Sequence, residues 1–156
     1  MNAELIARFL HIGGAAVLIG TGAGIAFFMV MAVRSRNPAL IAHVAATVVV
    51  ADFIFTATAV ILQPVTGTWL ALLVGWPLTQ GWLLAAIGLY VLVGLCWLPV
   101  VFIQVKLRNI AREAAIANSP LPASFDRLYR TWFVLGWPAF AGVLAILWLM
   151  VTRPDF

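Results

Sequence analysis

From Phe53 to Val105 the chain contains no Asp, Glu, Lys or Arg, and from Phe9 to Val33 it contains none either. The earlier run, 25 residues long, would span about 37 Å as a helix, more than the ~30 Å hydrocarbon core of a bilayer. Across the 156 residues only 9% are charged and 65% are hydrophobic. A soluble domain carries about a quarter charged residues, so this chain cannot turn most of its surface to water. The uncharged runs therefore read as membrane spans, and no polar region is large enough for a separate soluble domain.

The breaks between spans are polar turns and prolines. Arg34-Ser-Arg-Asn-Pro38 closes the first span, and Pro38 suits the first turn of the next helix. Within the long uncharged stretch only the Pro64 and Pro77 region can divide two crossings. Gln63-Pro64 should kink or end the second span, with Trp69 to Val74 continuing it or forming a short interfacial helix. Trp76 and Trp82 suit an interfacial aromatic belt. Asn118-Ser-Pro-Leu-Pro122 is a loop, and Ser124 can cap the last helix. The spans fall at about 5–33, 40–63, 80–105 and 125–151, with an amphipathic continuation over 106–118. The expected fold is all-α: one integral membrane four-helix bundle over residues 1–156, with antiparallel neighbours.

Seven of the nine Lys and Arg lie in two places, Arg34 and Arg36 after the first span and Lys106 to Arg130 around the third loop. The positive-inside rule makes both regions cytoplasmic and leaves both termini outside. The same clustering accounts for a net charge of +4 without a nucleic-acid partner. The partners expected are the lipid bilayer and either further copies of the chain or a larger membrane complex. The first span is too long for a signal-peptide core and ends in a stop-transfer flank, so it is expected to be retained. Cys96 is alone, which excludes an intrachain disulfide.

Few residues could carry chemistry. His11 lies about two turns into the first helix, and Gly14, Ala15, Leu18 and Gly22 share its face. An imidazole above a trough of small residues can admit a flat macrocycle between helices and serve as its axial ligand. The same small residues also suit close packing of membrane helices. Asp52 is the most costly residue, at roughly 2.5–3.5 kcal/mol to insert. Thr56, Gln63 and Thr66 fall on its face of a regular helix, a polar stripe that could relay protons, orient a cofactor or fix helix register. The second span offers Asp52 no Lys or Arg at its depth, which favours a protonated carboxyl bonded to Thr or Gln, or to a ligand. Depth arithmetic brings Gln63 to the level of His11 and leaves Asp52 roughly 13–17 Å deeper. His43, near the other end, lies too far in depth to share one iron with His11. No zinc-protease, CxxC, nucleophile-triad or phosphate-loop motif occurs.

Several of these stretches resemble a family of predicted bacterial integral membrane proteins, domain-of-unknown-function family 2269. They are Leu10-His11, Ala51-Asp52 with Phe55-Thr56, Gln63-Pro64-Val65-Thr66-Gly67, Gly81-Trp82-Leu83, Trp97-Leu98-Pro99-Val100, Gly136-Trp137-Pro138-Ala139-Phe140 and Leu147-Trp148-Leu149-Met150-Val151. The resemblance covers essentially the whole chain and implies a bacterial inner-membrane location. A looser likeness joins the chain to copper-resistance D proteins and the haem-dependent protoporphyrinogen oxidase, where a first-helix histidine before small residues recurs and, in the oxidase, is tied to haem. That likeness implies haem b at His11, in redox or electron-transfer work; the helix-face and depth reading places Gly14, Ala15, Gly22, Gln63 and Asp52 as the residues to serve it. The oxidase's Trp-Leu-His-x-Lys stretch is Trp82-Leu83-Leu84-Ala85-Ala86 here, so its second histidine and lysine are missing. The alternative from another class is a non-catalytic subunit or assembly partner of a larger membrane complex.

Overall fold

The computed structural model describes residues 2–155. Its elements are α1 (Ala3–Arg34), α2 (Pro38–Ala51), a π-helical turn (Asp52–Thr56), α3 (Ala57–Val74), α4 (Gly81–Ile116) and α5 (Ala123–Thr152). No strand occurs among the described residues. The helix α2, the π turn and α3 run on as one 37-residue rod, Pro38–Val74, so four helices are long and apolar enough to cross a membrane. An even number of crossings puts both ends of the chain on one side.

Local chemistry fixes the helix ends. Asn2 accepts from Glu4 N–H at 3.3 Å, and Asn37 accepts from the amides of Ala39 and Leu40 at 3.0 and 3.2 Å, with Pro38 just inside the helix. Gly75 ends α3 at φ +81°, a left-handed conformation that favours glycine. The last helix departs from expectation. Its N-cap is Pro122 without a side-chain cap, and Ser124 already lies within the helix.

Two further points concern Pro64 and Trp82. Of the two readings of Trp69 to Val74, continuation holds: the second span does not end at Pro64 but runs on to Val74. A proline removes one backbone donor, a loss that neighbouring packing can absorb in a membrane helix. Trp82 does not sit in a lipid-facing belt. It is buried with Ala71 and Leu83, edge-on to Trp76 at 5.5 Å, and the Arg153 guanidinium stacks over Trp76 at 4.5 Å.

The bundle is packed at its ends and hollow in the middle. Near the basic loops Met29, Ile41, Leu107 and Phe125 are completely buried, with Ala45 and Ala111 allowing close approach. Arg36 and Asp126 pair at 2.7 Å across this end, tying the first loop to the start of α5. The side chains are 64% and 48% exposed, so the pair is worth about 0–1 kcal/mol. Along the bundle α4 lies against α5 and α2, and α1 lies mainly against α3.

Candidate functional site

The polar residues of the second span do not form one stripe. On a regular helix Asp52, Thr56, Gln63 and Thr66 would share a face. The π turn at Asp52–Thr56 inserts one extra residue, which rotates everything beyond it by about 100°. Asp52 and Thr56 consequently face the middle of the bundle, while Gln63 and Thr66 face α1.

The first of the two resulting sites is a seam between α1 and α3. His11 Nδ1 lies 3.1 Å from Thr66 Oγ1, and Gln63 Nε2 donates to the backbone carbonyl of His11 at 2.8 Å. The expected meeting of Gln63 with His11 therefore occurs, but through the backbone; Thr66 takes the imidazole. Thr66 Oγ1 has one proton and a shorter contact, 2.7 Å, to the Leu62 carbonyl. That proton goes to Leu62, so the hydroxyl accepts from His11 Nδ1–H. Nε2 is left with its lone pair.

Two glycines make the seam this close. A Cβ on Gly67 would stand 2.9 Å from His11 Cε1, and one on Gly14 would stand 2.5 Å from Gln63 Nε2. Neither distance is one a real side chain tolerates. Gly14 thus serves Gln63 rather than a trough under the imidazole. Ala15 lines neither of the two cavities, and Gly22 belongs to the second site.

That second site is a cavity of about 380 Å³ lined by all four membrane-crossing helices. Its polar groups gather at the π turn. Asp52 is 3% exposed and Gln104 2%. Trp97 Nε1 donates to Asp52 Oδ1 at 3.3 Å. With its amide nitrogen turned to the carboxylate, Gln104 donates to Asp52 Oδ2 at 3.1 Å, and its oxygen accepts from Trp132 Nε1 at 3.2 Å. The reverse orientation would set oxygen against oxygen and N–H against N–H. Tyr90 lines the same space and its hydroxyl donates to the Val60 carbonyl. None of Gln104, Trp97, Tyr90 and Trp132 is among the site residues expected from the sequence. A signal for three of them was present: Tyr90, Trp97 and Gln104 recur at intervals of seven on α4, one face of a helix.

His11 lines neither this cavity nor a groove between α1 and α2 that His43 borders. Among the described residues no three His, Cys, Asp or Glu side chains gather to hold a metal ion.

The helices and their polar interior define an integral membrane protein with four spans. Residues 5–154 match the DUF2269 family of predicted integral membrane proteins, and the chain belongs to that family. No curated protein and no solved structure matches it.

Proposed function

We propose that the chain holds haem b through His11 Nε2, in a bacterial inner membrane with the basic loops cytoplasmic. The observation that carries this reading is the contact of His11 Nδ1 with Thr66 Oγ1 at 3.1 Å, which turns Nε2 away from that partner. Ligating histidines commonly donate their other ring N–H to an oxygen, which fixes the ring and leaves Nε2 free for the metal. His11 has that arrangement, and Gln63 pins the backbone from which the ring projects. His11 alone would supply a nitrogen donor to the haem iron. His43 sits at the start of α2, toward the opposite membrane face, and supplies no second ligand to the same site. Bound there, haem b would supply one-electron oxidation and reduction.

A reduced-minus-oxidised absorption spectrum of protein purified from haem-replete cells tests the reading. A Soret band that shifts with dithionite is expected; colourless protein would overturn it. The orientation has its own test in a Cys96→Ala background. Cysteine at position 36 should be labelled only from the cytoplasm and cysteine at position 75 only from outside. The reverse pattern would invert the topology.

A second reading, a subunit or assembly partner of a larger complex, is favoured by the groove between α1 and α2. Gly20 and Gly24 line it, and a Cβ on Gly20 would meet nothing within 4 Å. Small residues facing open space allow another membrane helix to approach closely. A larger assembly in mild detergent that disperses on Gly20→Leu would support it, and an undisturbed monomer would not.

A further inference from the structure

The central cavity is built from positions that keep it empty of protein. Gly22, Gly94 and Gly136, from three different helices, all line it, and a Cβ on any of them would meet nothing within 4 Å. Its volume of about 380 Å³ is within the usual range for small-molecule pockets, about 300–1,000 Å³. Phe133 and Trp137 line it and are also 42% and 64% exposed, so it opens toward the bilayer beside α5.

The chemistry of the walls is lopsided. Six aromatic side chains face the space: Tyr90, Trp97, Trp132, Phe133, Trp137 and Phe140. One carboxyl group, Asp52, faces it as well, and no Lys, Arg or His does. Trp97 and Gln104 orient the carboxyl but bring no charge. The ion pairs among the described residues, Arg8–Glu4 and Arg36–Asp126, do not include it. Thr56 is 4% exposed and lines the same cavity one helical turn from Asp52, where its hydroxyl, like Trp97 and Gln104, brings the carboxyl no charge. A buried carboxylate without a counter-charge is costly in a bilayer. A neutral apolar guest would not relieve that cost.

We propose that this cavity binds hydrophobic organic cations, with Asp52 as the counter-charge and the aromatic walls as the cage. A cation beside Asp52 supplies the missing charge, and the Thr56 oxygen turns a lone pair toward it. The ring faces attract the same cation, more strongly away from water. The apolar substituents of such a guest fill the space left by the three glycines and displace lipid or water. The site stands apart from His11, so its failure would leave the haem reading untouched.

The test compares two probes of nearly the same shape, phenyltrimethylammonium and its uncharged isostere tert-butylbenzene. The full chain is held in nanodiscs of zwitterionic lipid, and binding is followed through tryptophan emission, since Trp97, Trp132 and Trp137 line the walls. The cation should give a saturable change, and tert-butylbenzene should bind at least ten-fold more weakly. Asp52→Asn should weaken cation binding at least ten-fold. Gly136→Leu, whose side chain enters the open space, should abolish binding by filling the cavity, which keeps the test decisive if Asp52→Asn does not fold. Equal affinity for the two probes would overturn the proposal. So would unchanged cation binding in Asp52→Asn or Gly136→Leu, or no saturable response in the parent protein.

Discussion

Phe125→Ala is expected to destabilise the bundle by about 3 kcal/mol, the lower end of the range for a buried Phe-to-Ala change. Phe125 is completely buried beside Met29, Ile41 and Leu107, and its ring stacks on Tyr129 at 6.5 Å. Between membrane helices most of such a loss is packing rather than transfer from water, because lipid is as apolar as the interior. Equilibrium unfolding in mixed micelles measures it. The neighbouring Asp126→Asn removes only the exposed pair with Arg36 and should cost less than about 1 kcal/mol. A Phe125→Ala loss as small as that would show the basic end is not the tightly packed one.

Gly67→Val should strike both stability and the His11 site. The new Cβ would need the place 2.9 Å from His11 Cε1, and the ring is held by Thr66 rather than free to swing. Either α1 and α3 separate or the imidazole leaves Thr66. Overpacking of this kind costs about 1–3 kcal/mol, and haem content should fall by more than half. Gly13→Ala is the contrast. A Cβ there meets nothing within 4 Å, and replacing a mid-helix glycine can add up to about 1 kcal/mol of helix stability. Haem content and melting temperature measured on the two variants check the pair. Equal behaviour would remove the close seam between α1 and α3.

The four crossings were legible because a bilayer demands long uncharged runs, and Phe9 to Val33 leaves no other way to fold. The level match of Gln63 with His11 was legible too, since helical rise fixes depth once the spans are antiparallel. Facing was not. A wheel drawn through Asp52, Thr56, Gln63 and Thr66 assumes 3.6 residues per turn, and nothing in Asp52-Phe-Ile-Phe-Thr56 announces a π turn. Its one extra residue sends Gln63 and Thr66 to a different neighbour from Asp52. Tryptophans collect at interfaces, so on sequence alone Trp82 suits an aromatic belt. Its burial against Ala71 depends on where α4 begins relative to the end of α3, which is a tertiary fact. The cavity was hidden for a related reason. Glycines in a membrane helix usually mark close contact, as Gly142 does: a Cβ there would lie 2.6 Å from Val93 Cγ2. Gly22, Gly94 and Gly136 look the same in sequence yet border open space.

The chain has two histidines, and haem b is proposed at one of them. His11 is held in the seam by Thr66, with Gln63 on its backbone, whereas His43 is exposed on the groove between α1 and α2. Haem per mole of protein, measured side by side in His11→Ala and His43→Ala, tests this most directly. His11→Ala should lose the Soret band while remaining folded, and His43→Ala should keep the parent's haem content. Full haem content in His11→Ala, or its loss in His43→Ala alone, would contradict the account.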